Sequence, residues 1–262
     1  MTDLRSAARE RRGEYGVDGG RRAIAGLAAM GVGGIGLVGL ALSHASSSPV
    51  ASTVIALLCG LLLLQTVVSY LYSTRRGKLV VWAELLNDLH LRGNEHVLDM
   101  GCGRGAVLSI VAELVPKGRA VGLDLWRSAD QTGNSSEAAR QNLYAEGVSD
   151  RCALETGDML AMPFLDSTFD LVVSNLAIHN IAPAERRLRA VDEAVRVLKP
   201  GGRLMIADLM SAGSYARHLR ECGMEGVVQP RLGWRFWFGV LGLATGLVTA
   251  VKPTGTRNQL TY

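Results

Sequence analysis

At 262 residues the chain is long enough for one well-buried α/β domain and an appendage, and 48% of it is hydrophobic. Its formal charge of +4 is modest, the basic residues gather beside apolar stretches, and no basic stripe is interleaved with aromatics, so a nucleic-acid partner is not expected. Four cysteines (Cys59, Cys102, Cys152 and Cys222) form no C-x-x-C pair, which argues against a zinc site or a disulfide framework and leaves reduced thiols and no metal as the expectation.

The apolar excess sits near the N-terminus. Ala23 to Leu42 and Val50 to Tyr72 carry no charge, and each is long enough to cross a hydrocarbon core of roughly 30 Å. A cleaved signal peptide is the competing reading of the first stretch, but a second full-length span straight after it favours a transmembrane hairpin. Arg21 and Arg22 precede the first span, Arg75, Arg76 and Lys78 follow the second, and the joining SHASSSP has neither Lys nor Arg. By the positive-inside rule, residues 1–22 and everything after the hairpin are cytoplasmic. Ala25, Ala29 and Gly33 recur at four-residue spacing and would let another helix approach closely, either the second span or, in a homo-oligomer, another copy.

The pattern changes after STRRGK. Leu79 to Arg92 has apolar residues at helical intervals and reads as a lead-in helix within a linker over 73–92. Residues 93–262 then alternate strand and helix. Strands are expected at His96–Met100, Ala120–Leu125, Cys152–Thr156, Phe169–Asn175 and Gly202–Leu209, with helices at Ala106–Val115, around Glu137–Glu146 and over AERRLRAVDEAVRVLK. This rhythm indicates a parallel sheet covered on both faces, with ligands at the carboxyl ends of its strands. The uncharged run Phe236 to Val251 is short for a third span and is broken by three glycines. Its aromatics Trp234, Phe236, Trp237 and Phe238 suit an acceptor pocket, a membrane interface or the core.

Chemistry is concentrated at HVLDMGCGRG. Gly101, Gly103 and Gly105 permit a tight turn and close approach of a ligand to the main chain, and the next helix offers unpaired N–H groups to an anion. The spacing also satisfies G-x-G-x-x-A, and Asp124 lies at a distance suited to ribose hydroxyls, so a nicotinamide dinucleotide fits this turn as well.

The surrounding motifs separate the two. VLDMGCGRG, GLDLW, GDMLAMPFLDSTFDLVVSNLAIHN and LKPGGRLMIADL, in this order from Val97 to Leu209, resemble the motifs of class I S-adenosylmethionine-dependent methyltransferases. The resemblance implies a Rossmann-like seven-stranded sheet with helices on both faces, closed by an antiparallel hairpin whose last strand TGLVTAVKP resembles, and S-adenosylmethionine as co-substrate. It also implies that Gly101, Gly103 and Gly105 floor the methionine and ribose portions, that Asp99 holds the ammonium, and that Asp124 takes the ribose diol. Leu125 and Trp126 would lie against adenine, Asp158 and the Met159 backbone would read its edge, and Ser174 and Asn175 would reach the methionine end through their main chain.

Methyl transfer needs a base only when the nucleophile arrives protonated. His179 is the candidate, with an unperturbed pKa of about 6.5; hydrogen bonding to nearby backbone is its competing role. Asn180 is a weaker candidate, and Asp208 reads as a surface acid. Gln131 and Asn134, in the polar stretch 127–136, suit either the site's rim or, with Ser135 or Ser136, the cap of the following helix. A small, lipophilic acceptor is inferred from the membrane hairpin alone. A non-catalytic binding or assembly protein of the same fold at the membrane is the alternative.

Overall fold

The computed structural model describes residues 11–45, 49–209, 211–239 and 245–255. Two long helices, α1 (Gly20–Ser43) and α2 (Val50–Tyr72), form an antiparallel pair; α1 starts three residues before the uncharged stretch, because the unpaired first turn of a helix tolerates Arg21 and Arg22. The pair meets at glycines. A Cβ on Gly60 would lie 2.8 Å from the Gly34 carbonyl, so only glycine lets the backbones touch there. The buried positions of α1 include Leu27, Gly34 and Ala41, a seven-residue repeat suited to a left-handed pair. Of the residues at four-residue spacing, Ala25 and Ala29 are exposed, and Gly33 borders the second span, where a Cβ would lie 3.9 Å from Leu63, so the spacing as a whole does not form the seam. Large apolar side chains cover the outside of the pair, with Val32, Ile35, Val50, Leu58 and Val68 all more than 60% exposed.

The second helix does not stop at its charged end. It continues through a single π turn, Ser73–Gly77, into α3 (Lys78–Asn87). Gly77 sits in that turn against the Arg235 carbonyl, where any Cβ would collide. The lead-in helix is thus an extension of the second span, and it ends five residues before the expected Arg92.

Beyond it lies a seven-stranded sheet of order β3-β2-β1-β4-β5-β7-β6, comprising β1 (His96–Met100), β2 (Arg119–Asp124), β3 (Cys152–Thr156), β4 (Phe169–Asn175), β5 (Leu198–Leu209), β6 (Glu225–Val228) and β7 (Thr245–Val251). The first five are parallel, and β7 runs antiparallel to both neighbours. Strand β5 starts at Leu198, where helix had been expected, because Pro200 pushes Lys199 out of the helical region. Helices α3, α4 (Ala106–Leu114) and α5 (Ser136–Ala145) pack on one face; α6 (Arg186–Val197) and α7 (Ala212–Glu221) cover the other. The chain reverses its direction of travel between β1 and β4, and such a switch point opens a crevice at the strands' carboxyl ends.

Two seams fasten the apolar pair to the sheet domain. Residues 11–19, expected as a separate tail, lie across α4 and α5: Arg11 pairs with Glu113, Asn142 bonds the Glu14 backbone both ways, and the Tyr15 hydroxyl reaches Ser109 and Glu146. The second seam is the loop before β7. Ser69 and Ser73 donate to the Trp237 carbonyl, Thr66 to that of Gly239, and Arg235 forms a bidentate pair with Glu84. Phe236 and Phe238 are buried, while Trp234 is exposed and stacks on Tyr72, so the aromatic cluster divides between core and helix contact.

Candidate functional site

The switch point holds a cavity of about 320 Å³, within the range of small-molecule sites. Its wall brings together Asp99, Gly101, Gly103, Asp124, Leu125, Asp158, Met159 and Asn175 from four separate stretches of sequence. Gly101 and Gly103 have φ of 78° and 52°, in the left-handed region where side chains are strained. A Cβ on Gly101 would strike Ala177, and one on Gly103 would lie 2.5 Å from Gln131 Oε1.

Asp124 holds this turn from the end of β2. One carboxylate oxygen accepts from the Gly103 N–H at 2.8 Å; the other accepts from the Trp126 N–H at 2.6 Å and from Asn134 Nδ2 at 3.1 Å. Asn134 and Gln131 therefore stand on the rim, Gln131 accepting from the Arg104 N–H, while Ser135 caps α5 by accepting from the Ala138 N–H. Both expected roles of that polar stretch are present, carried by different residues.

Asp99 is the outlier. It is 1% exposed, and neither carboxylate oxygen has a hydrogen-bond partner among the described residues. Burial, reinforced by the Asp124 carboxylate and only partly offset by the Leu108 N–H, which lies outside good hydrogen-bonding geometry, pushes its pKa up to about 8. A buried carboxylate without donors is costly, and one facing a cavity suits a cationic or hydrogen-bonding ligand.

Several expected residues sit behind the wall. Gly105, with φ of 81°, is the residue before α4 and accepts the first bond of that helix. Ser174 is buried and donates to the Met100 carbonyl, locking β4 to β1. Trp126 donates its indole N–H to Thr156, leaving Leu125 as the wall residue on that side. Asp158 lines the cavity and also accepts from the Leu160 N–H.

His179 is adjacent to the lining residue Asn180 without itself lining the cavity. Its Nδ1 lies 2.5 Å from Asp208 Oδ1. Asp208 is fully buried and also accepts from the Leu209 N–H and the Tyr215 hydroxyl, which corrects the reading of Asp208 as a surface acid: the end of β5 is covered by α7. Arg187 fastens the same segment by donating to the carbonyls of His179 and Ile181.

Among the wall residues that sequence reasoning missed are Lys78 and Asp18. Lys78 was counted only as a charge flanking the span, yet it is 1% exposed, lines the cavity and bonds both carboxylate oxygens of Asp18 at 2.9 and 3.0 Å. Asp18 lines the cavity too and accepts from Thr74. Nothing local to either residue signals this meeting.

Residues 98–206 match the family model described as a methyltransferase domain. A demethylmenaquinone methyltransferase of Symbiobacterium thermophilum is 32% identical over 138 residues, which is 52% of this chain and 51% of the relative. The sterol 4-C-methyltransferase strm-1 of Caenorhabditis elegans is 33% identical over 137 residues, 52% of this chain and 38% of the relative. The chain thus spans about half or less of the length of these curated relatives. Among solved structures, the cyclase SpnF superposes with a TM-score of 0.56 at 19% identity, covering 69% of this chain and 83% of that one, which speaks to the fold alone.

Proposed function

We propose that the chain, whose residues 98–206 match a methyltransferase domain, is a membrane-anchored S-adenosylmethionine-dependent methyltransferase acting on a small, lipophilic acceptor. The observation that carries this reading is one uninterrupted helical course from Val50 to Asn87. Its first part is apolar and only 11% buried, unlike the core helix of a soluble protein. Its last part supplies Lys78 to the cavity wall and Trp82, whose indole N–H donates to Asn175 at 2.8 Å. An acceptor dissolved in the bilayer would need to travel little more than the length of that joint. The relatives named for a quinone and a sterol support an acceptor of this class.

The cavity suits the co-substrate. S-adenosylmethionine brings its own activated methyl group on a sulfonium, so the protein's work is chiefly alignment and exclusion of water. Asp99, without donors of its own, would hold the ammonium; the Gly101 and Gly103 backbone would allow close approach; Asp124 would accept from the ribose diol. Leu125, Asp158 and Met159 would receive the adenine, and the main chain at Asn175 would meet the methionine end. Orientation of this kind can contribute on the order of 7–11 kcal/mol.

His179 is the group proposed to take a proton when the acceptor arrives protonated. The bond from Nδ1–H to Asp208 would fix the ring and leave Nε2 as the accepting nitrogen. The charges flanking the two spans favour a cytoplasmic domain and N-terminus.

The test is transfer of a labelled methyl group from S-adenosylmethionine by the full chain in proteoliposomes, with quinones and sterols as acceptors and a water-soluble analogue beside them. Labelled lipid product supports the reading. Cofactor binding without any turnover on membrane extracts would favour a binding or assembly role, and release of the protein from vesicles by carbonate would remove the anchor. A reporter within SHASSSP is expected on the far side of the membrane from one fused after Tyr262.

A further inference from the structure

On the face of the domain covered by α6 and α7, away from the cavity wall, three metal-ligating side chains converge. Asp192 comes from α6; His218 and Cys222 come from α7 and the residue that closes it, spaced four apart and so on one side of the helix. Cys222 Sγ lies 3.7 Å from Asp192 Oδ1 and 3.6 Å from His218 Nε2. For a tetrahedral ion with ordinary zinc–sulfur, zinc–nitrogen and zinc–oxygen bonds, ligand-to-ligand edges are about 3.3 to 3.6 Å. Two of the three edges are therefore already close to those values. The third, His218 Nε2 to Asp192 Oδ1, is a 2.6 Å hydrogen bond, which an ion would replace by displacing the shared proton and widening the gap.

A fourth side chain strengthens the geometry. Glu221 Oε2 lies 3.8 Å from His218 Nδ1, on the ring edge opposite the cluster. A carboxylate behind the second nitrogen of a ligating histidine fixes the ring and raises its basicity, a recurrent arrangement around zinc. Asp192 and Cys222 are exposed, so an ion would have open access and a fourth position for water.

We propose that Asp192, His218 and Cys222 form a surface site for a borderline-soft divalent cation of the zinc type, joining α6 to α7. This site is independent of the methyl-transfer chemistry. It does sit on the helix that carries Tyr215, whose hydroxyl bonds Asp208, so an ion there would brace the helix behind the His179–Asp208 pair.

Cobalt(II) is the probe, because a cobalt–thiolate bond gives a charge-transfer band that carboxylate or imidazole ligation alone does not. The tag-free, detergent-solubilised full chain is expected to develop that band at one cobalt per chain and to lose it on addition of zinc. Cys222→Ser should abolish it, His218→Ala should weaken cobalt binding at least about tenfold, and Glu221→Gln about tenfold. The metal-free Cys222→Ser and Glu221→Gln variants should unfold at the parent's temperature, since both positions are exposed. No band at millimolar cobalt, or a band that survives Cys222→Ser, would overturn the site.

Discussion

Asp99 and Asp208 occupy matching places in the sheet, each one residue from the carboxyl end of its strand and each at most 1% exposed. Their surroundings are opposites. Asp208 is met by the His179 ring, the Leu209 N–H and the Tyr215 hydroxyl, whereas Asp99 has no partner among the described residues. A carboxylate whose hydrogen bonds are complete is suited to holding a neighbour in place. One left without donors beside a cavity is suited to a ligand, and its elevated pKa measures how unfavourable its charge is until a ligand arrives. Under the proposed function, the β1–β2 side of the cavity would hold the cofactor, and Asp208 on the β4–β5 side would support His179 as the base.

The largest effect that would test this division is expected from Asp124→Ala. It removes the proposed ribose acceptor and the group that holds Gly103, so affinity for S-adenosylmethionine should fall at least about a hundredfold, or ~3 kcal/mol. Calorimetric titration of a variant shown to be folded by circular dichroism measures it. A loss under tenfold would take the ribose away from β2.

Asp99 makes a pH prediction. Its pKa of about 8 lies above the unfolded value of 3.8, so its charged form is disfavoured in the ligand-free fold. Its contribution to stability is complete below about pH 4 and is lost as the pH rises through about 8. At pH 7 the carboxyl is mostly protonated, and an ammonium beside it would drive off that proton. Binding should release up to one proton at pH 7 and tighten as the pH is raised towards 8. Titrations in two buffers of different ionisation heat count the proton; Asp99→Asn should abolish the difference between them. Identical heats for the parent protein would separate Asp99 from the ammonium.

Smaller changes are expected on the other side. Tyr215→Phe deletes one donor to Asp208 and should cost about 1–2 kcal/mol of stability. It should leave the cofactor Kd unchanged while the turnover rate falls, because the carboxylate that orients His179 loses part of its own support. An equal change in Kd and rate would mean that the two sides are one unit. The smallest effect, about 0.5–1 kcal/mol in thermal unfolding, is expected from Arg235→Ala, since its pair with Glu84 is partly exposed. A much larger loss would make the loop before β7 a principal fastening of the helices.

The glycine turn, Asp124 and the five parallel strands were legible because each leaves a local trace: an apolar run ending in an acid, glycines where φ is positive, acids at strand ends. Strand β6 left none, being four residues at the sheet's edge with little burial and no alternation. Ala25 and Ala29 had the right spacing for close packing but the wrong face, because Gly34 and Gly60, related only across the pair, set the rotation of α1. The three converging metal-ligating side chains were likewise invisible to cysteine spacing, since Asp192 lies 26 residues from His218 in sequence and on another helix.

What the sequence determined by itself was the kind of each segment: two apolar helices, an alternating α/β domain, and a turn able to take a nucleotide-like ligand. Periodicity and turn chemistry act over a few residues and are written in them. Tertiary structure alone decided that Lys78 meets Asp18 at the cavity, that residues 11–19 strap the domain, and that Asp208 is buried under Tyr215. These are pairings of side chains far apart in the chain, and the energy that selects them comes from burying and satisfying polar groups together, which no single segment contains.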